Sequence, residues 1–67
     1  MKLIVNDKPE ILLIGNRLLD LLHKTNLTKQ KGLAVAVNNN IVPKAEWENH
    51  ELKENDKITI IRATQGG

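Results

Sequence analysis

The chain contains 67 residues, enough for one small domain but too few for a sizeable enclosed active-site pocket. Cysteine is absent and histidine occurs twice, which excludes disulfide bonds, cysteine metal sites and thiol nucleophiles and argues against a zinc site. The formal charge is only +2, the basic residues are dispersed and one tryptophan is the only aromatic residue, all of which argues against a nucleic-acid surface.

The first two predicted elements form a β-hairpin. Met1 to Val5 alternates in the manner of a strand, and Glu10 to Ile14 is a second short apolar run. The intervening Asn6-Asp7-Lys8-Pro9 predicts a turn, because Asn and Asp tolerate turn conformations and Pro fixes φ. Two such runs joined by a tight link are typical of a hairpin.

A helix is predicted next, from about Arg17 to Thr25. Asn16 is its candidate N-cap, because the side-chain oxygen can accept a hydrogen bond from a free backbone N–H of the first turn. Three leucines fall at the i, i+3 and i+4 spacing of one helix face, namely Leu18, Leu21 and Leu22. The polar segment from Asn26 to Gly32 predicts a loop.

The second half of the chain predicts three further strands. Leu33 to Val37 alternates large and small side chains, which predicts a strand whose large side chains face the core. Asn38 to Asn40 predicts a turn, because Asn accepts a positive φ, and Ile41-Val42 predicts a short strand. Residues 44–51 predict a loop or a single helical turn, and Lys57 to Arg62 predicts the last strand.

The predicted order of elements is therefore β-β-α-β-β-β. One helix laid across one face of a four- or five-stranded sheet supplies the two packed layers that a domain needs, so the predicted fold class is α+β. The domain is expected to span residues 1–62, followed by a flexible tail at residues 63–67. Trp47 is expected to pack over one edge of the aliphatic core.

The alternation of the strands also predicts which side chains face away from the helix. This outer face is small and partly apolar, whereas the solvated face of an antiparallel sheet is normally polar. Exposed apolar patches often mark partner sites, so the sequence predicts a partner interface next to the tail. Its candidate residues are Ile4, Ala34, Ala36, Ile61 and Arg62.

The terminal pair Gly66-Gly67 is either a frayed end or a reactive one. Glycine has no Cβ and can enter a narrow channel. The five residues from Ala63 onwards reach about 17 Å when extended. The terminal carboxylate becomes an electrophile once it is joined to AMP from ATP. A sulfur or nitrogen nucleophile supplied by a partner can then open the mixed anhydride.

Three stretches of the sequence carry a family resemblance. They are Gly-Leu-Ala-Val-Ala-Val-Asn at 32–38, Ile-Val-Pro-Lys-Ala-Glu-Trp at 41–47, and Gln-Gly-Gly at 65–67. On these residues the chain resembles the small sulfur-carrier proteins of thiamin biosynthesis, which have a ubiquitin-like β-grasp fold with one helix on a mixed sheet. The resemblance covers nearly the whole chain. It departs from the family pattern at Lys44, where Arg is usual, and at Asn55, where Gly is usual.

The resemblance implies a carrier and not an enzyme. An E1-like activating enzyme would adenylate the Gly67 carboxyl group with ATP. Sulfur from a persulfide donor would convert that group to a thiocarboxylate, which would deliver sulfur to thiazole synthase for the thiazole ring of thiamin. Gln65 and Gly66 would thread through the partner's active site, and the chain would bind no metal or cofactor itself.

Three alternatives stay open. The small subunit of molybdopterin synthase shares the fold, the Gly-Gly end and the thiocarboxylate chemistry, although the element Val42-Pro43-x-x-x-Trp47 favours thiamin. A ubiquitin-like modifier would join its terminal carboxyl group to a lysine. A plain interaction module would carry an incidental tail. An enzyme in its own right is disfavoured, because the sequence offers no nucleophile–base pair and no metal cluster.

The expected setting is the cytoplasm. The chain lacks cysteine and a signal peptide, and no apolar run approaches the roughly 20 residues that span a bilayer. We therefore expect a protein that is a monomer when free and that binds neither nucleic acid nor membrane.

Overall fold

A computed structural model describes residues 1–25, 27 and 32–62. Within these residues one α-helix, α1 (Leu18–Lys24), accompanies a five-stranded mixed sheet. The strands are β1 (Lys2–Val5), β2 (Lys8–Ile11), β3 (Leu33–Val37), β4 (Asn40–Ile41) and β5 (Lys57–Arg62). The predicted tail at 63–67 and most of the predicted loop at 26–32 lie outside the described residues.

The spatial order of the strands is β2-β1-β5-β3-β4. The central strand β5 runs parallel to its neighbour β1, and every other neighbouring pair is antiparallel. The helix lies in the chain between the two hairpins and contributes to a core that the sheet covers on one side. This topology confirms the α+β prediction and is that of a ubiquitin-like β-grasp domain.

The first hairpin is tighter than the sequence predicts. Its turn consists of Asn6 and Asp7 alone, with φ of 50° and 68°, and Val5 pairs directly with Lys8. Two positive-φ residues in a row are the mark of a type I′ turn, whose twist matches that of the flanking strands. The predicted four-residue turn is therefore wrong, because two residues suffice and Lys8 and Pro9 already belong to β2.

Proline is tolerated in β2 because this strand forms an edge of the sheet. Pro9 lies opposite Ile4, at a position where its missing N–H removes no ladder bond. The predicted strand at residues 10–14 is correspondingly wrong at its far end. β2 ends at Ile11, Leu12 is buried, and Leu13 and Ile14 are 84% and 86% exposed.

Helix α1 begins at Leu18, one residue later than the predicted start at Arg17. Arg17 occupies the N-cap position, so the prediction of Asn16 there is wrong. The Asp20 carboxylate accepts the Arg17 backbone N–H at 3.0 Å, which is half of a capping box. Gly15 precedes the cap with φ +87°, and a Cβ built there would overlap the Asp20 carboxylate, so this entry to the helix requires glycine.

The first turn of α1 is also held by the segment around Trp47. The backbone N–H groups of Leu18 and Leu19 donate to the carbonyl oxygens of His50 and Trp47, at 2.9 and 3.0 Å. The first N–H groups of a helix have no acceptor within the helix. Here the loop supplies carbonyl acceptors for two of these N–H groups. A short 3₁₀ helix at Lys44–Glu46 leads into Trp47, which fits the predicted single helical turn.

The core is aliphatic with one tryptophan, as the composition predicts. The buried side chains come from the inner face of the sheet, from α1 and from the loops around them. They are Leu3, Leu12, Leu18, Leu21, Leu22, Val35, Val37, Val42, Trp47, Leu52 and Ile58. Trp47 is 4% exposed, and its Nε1–H donates to the Val42 carbonyl oxygen at 2.9 Å. The predicted inner faces and the core position of Trp47 are confirmed.

Candidate functional site

The outer face of the sheet carries the largest group of predicted interface residues. In the pairing of β3 with β5, Ala34 lies opposite Ile61 and Ala36 lies opposite Thr59. Residues directly opposite one another in a sheet point to the same face. Ala34 and Ile61 are exposed, Ile61 to 57%, whereas Ala36 and Thr59 are half-buried. The result is a largely apolar strip along the last part of β5.

Two members of this strip, Thr59 and Ile41, are not among the predicted interface residues. Ile41 in β4 lies opposite Ala36 and is 69% exposed. Its position follows from the second hairpin, whose turn is Asn38-Asn39 with φ of 50° and 71°. Once that turn has two residues and not the predicted three, Asn40 pairs with Val37 and Ile41 falls on the alanine face. We call Ala34, Ala36, Ile41, Thr59 and Ile61 the outer strip.

Two predicted interface residues lie beside the outer strip and not within it. Ile4 belongs to the same face, but it pairs with Lys57 at the other end of β5 and is half-buried. Arg62 lies opposite Leu33, so it continues the row of β5 residues that faces the helix side. Its side chain is exposed at the end of the strand. Arg62 is also the last described residue before the tail.

The outer strip therefore lies next to Arg62, the residue that precedes 63–67 in the sequence. β5 runs along the strip and ends at Arg62, directly before residues 63–67. The reactive group predicted at Gly67, together with Gln65 and Gly66, lies outside the described residues. The alanines contribute only methyl groups, so a partner surface can approach the backbone of the strip closely.

A second exposed apolar pair lies at the opposite end of the sheet. Leu13 and Ile14 follow β2, whose end lies beside the start of β1, whereas β5 runs parallel to β1 and ends at the other side. The two side chains form one wall of a shallow groove against the polar side of α1, where Asp20, His23 and Lys24 lie. The alternation of β2 gave no signal for this pair, because both residues follow the end of the strand.

The described part of the chain offers little chemistry of its own. Its buried side chains are all apolar, and among these residues no three histidine or acidic side chains gather as metal ligands. The one ion pair found there joins Lys24 Nζ to Glu10 Oε1 at 2.6 Å, on the surface. The α1 helix is too short to cross a membrane. What the described residues present is an exposed apolar surface that reaches the end of β5.

Comparisons with known proteins agree with one another. The sequence model of the ThiS family matches residues 3–67. The sulfur carrier protein ThiS of Escherichia coli (strain K12) is 30% identical over 67 residues, which cover 100% of both chains. The fold matches the crystal structure of the thiamine biosynthesis protein ThiS from Geobacter metallireducens with a TM-score of 0.81 and 20% identity, over 100% of both chains.

Proposed function

Because this chain belongs to the ThiS family of sulfur carrier proteins, we propose that its Gly67 carboxyl group carries sulfur as a thiocarboxylate for thiazole formation in thiamin biosynthesis. The observation that carries this proposal is the family match, which runs from residue 3 through Gly66 and Gly67. The chain would act as a co-substrate and not as a catalyst.

The proposed activation is a transfer of AMP. A carboxylate oxygen of Gly67 attacks the α-phosphorus of ATP in an E1-like enzyme, and pyrophosphate leaves. The terminal sulfur of a persulfide then attacks the acyl carbon, and AMP leaves. A second thiol reduces the resulting acyl disulfide and releases the thiocarboxylate. Because every sulfur nucleophile in these steps comes from a partner, the lack of cysteine in this chain fits the proposed role.

The outer strip is the surface that we propose meets these partners. It is apolar and exposed where it borders β4 and the end of β5, and Arg62 adds a charge beside it. Gln65 and Gly66 would enter the partner's active site while the folded body stays outside. Ile4 would contact the partner only if the interface extends along the full length of β5. Since activation consumes ATP, we place it in the cytoplasm, with this chain a monomer between encounters.

Lys44 and Asn55 are the two departures from the family pattern. Asn55 has φ of 68°, so it adopts the left-handed conformation for which the family uses glycine. The turn before β5 is therefore preserved. Lys44 is exposed on the 3₁₀ helix and keeps the positive charge, but it lacks the planar fork with which arginine binds two acceptors at once.

The assignment to thiamin is tested by offering the thiocarboxylate form to different acceptors. We expect thiazole synthase, supplied with its other substrates, to consume the thiocarboxylate and form the thiazole ring. The matched arm contains the large subunit of molybdopterin synthase and its precursor, where no transfer is expected. Transfer in the second arm alone would move the chain to molybdopterin synthesis, and lysine adducts in a cell extract would favour a protein modifier.

A further inference from the structure

Strand β5 is longer than its pairing with β1, so its last residues extend past the end of β1. β1 accompanies it only as far as the pair Val5–Ile58, and then the chain turns away at Asn6 and Asp7. On the other side β3 pairs with β5 as far as Leu33–Arg62. The last part of β5, which leads to the tail, therefore has no β1 backbone beside it.

The side chain of Asn6 fills that place. Its Oδ1 accepts the Ile60 backbone N–H at 2.8 Å, and its Nδ2 donates to the Ile60 carbonyl oxygen at 3.2 Å. The Asn6 backbone N–H also donates to the Ile58 carbonyl oxygen at 2.9 Å. An asparagine amide offers the same acceptor and donor as a peptide unit, so it extends the ladder by one residue.

We propose that Asn6 is a positioning residue that fixes the end of β5 and thereby the point from which the tail enters a partner. This inference rests on the proposed carrier function. Ile60 is the last residue of β5 that Asn6 holds, and by strand alternation the next backbone groups on this edge belong to Arg62. A fixed exit point limits the volume that the tail explores once the domain has docked.

A fixed end of β5 would help to bring the two reacting groups together in the partner's active site. Adenylation requires a Gly67 carboxylate oxygen to meet the α-phosphorus of ATP in line with the departing pyrophosphate. Misplacement of a reacting group by about 1 Å can cost roughly 100-fold in rate. Loss of the Asn6 contacts should therefore lower the rate of the bound complex and leave docking through the outer strip intact.

The chain contains a matched control at the other end of β5. Asn38 is the first residue of the second two-residue turn, and its φ of 50° equals that of Asn6. Its Oδ1 accepts the Lys57 backbone N–H at 3.0 Å, and its Nδ2 donates to Asp56 Oδ1 at 3.0 Å. Replacing either asparagine by glycine removes two side-chain hydrogen bonds to the β5 region and keeps a residue suited to positive φ.

The test compares Asn6→Gly, Asn38→Gly and Asn6→Asp in adenylation by the cognate activating enzyme. For Asn6→Gly we expect kcat to fall roughly tenfold or more with KM unchanged. For Asn38→Gly we expect kcat near that of the wild type, at a similar loss of thermal stability. Asn6→Asp retains an acceptor for the Ile60 N–H and should give an intermediate kcat. Amide hydrogen exchange of the free protein should accelerate at Ile60, whose N–H donates to the Asn6 side chain, in Asn6→Gly but not in Asn38→Gly.

Equal kcat values in the two glycine variants would overturn the proposal, as would a loss that appears only in KM. A wild-type chain that is not adenylated would instead contradict the carrier function itself. In that case the hydrogen-exchange comparison still decides whether Asn6 holds the end of β5. Unchanged exchange at Ile60 would contradict the proposal that Asn6 holds the end of β5.

Discussion

Replacing Ala34 by Glu is expected to lower kcat/KM for adenylation about 100-fold or more while the domain stays folded. Ala34 is exposed on the outer strip, so the glutamate remains in water in the free protein. In the docked complex it would be buried against an apolar surface. Leaving a buried charge without a partner costs roughly 3–5 kcal/mol, and each 1.4 kcal/mol corresponds to about tenfold in affinity. Pyrophosphate release, measured over a range of carrier concentrations, gives kcat/KM.

The control is Leu13→Glu, which makes the same change of charge at the opposite end of the sheet. Leu13 is 84% exposed and lies away from both the outer strip and Arg62. We expect this variant to retain the wild-type kcat/KM. Equal losses in the two variants would indicate a general effect of charge, and an unchanged Ala34→Glu variant would contradict docking through the outer strip.

Trp47→Ala is expected to lower the free energy of unfolding by about 3–5 kcal/mol. A domain of this length has a total stability of roughly 3–10 kcal/mol, so the substitution should remove about a third or more of the stability of the domain. Trp47 fills the edge of the core, and its indole N–H satisfies the Val42 carbonyl oxygen. Its backbone carbonyl also accepts a hydrogen bond from Leu19 in the first turn of α1.

Urea unfolding followed by far-ultraviolet circular dichroism measures this effect, since Trp47 is the only aromatic residue and its fluorescence disappears with it. Trp47→Phe keeps most of the apolar volume but removes the N–H donor. We expect Trp47→Phe to lose less stability than Trp47→Ala, and its loss should come mainly from the unpaired Val42 carbonyl group. If Trp47→Ala unfolded at the same urea concentration as the wild type, Trp47 would not be part of the core.

The sequence predicted the inner faces of the strands well. Leu3, Val35, Val37 and Ile58 are all buried, because alternation in a half-buried strand leaves a clear pattern of large and small side chains. The leucines of α1 were equally clear at helical spacing. These parts depend on which side chains need burial, and that requirement is visible in composition and period.

The register of the two hairpins was less predictable. A run such as Asn6-Asp7-Lys8-Pro9 contains four residues suited to turns, and nothing in it indicates that two of them form the turn while Pro9 lies on a sheet edge. The same ambiguity arises among the three asparagines at 38–40, where only Asn38 and Asn39 form the turn. As a result, the face on which Ile41 lies was not predicted. Because a shift of one residue moves a side chain to the other face, this error alone removed Ile41 from the predicted outer strip.

Part of the candidate site was predictable, because strand alternation indicates which side chains share the outer face. Ala34, Ala36 and Ile61 follow from strand alternation and lie together. The Asn6–Ile60 contact joins residues far apart in sequence and depends on where β1 stops relative to β5, which no local pattern records. The exposed pair Leu13 and Ile14 was hidden because their apolar character suggested a longer β2.

In the proposed function, sulfur is carried on the carboxyl group of Gly67. The most direct test is the intact mass of the protein after incubation with ATP, the cognate activating enzyme and a persulfide donor. We predict a mass increase equal to the replacement of one oxygen by sulfur in the wild-type chain and no increase in a chain that lacks Gly67. A wild-type mass that stays unchanged while the activating enzyme turns over ATP would contradict the proposed carrier function.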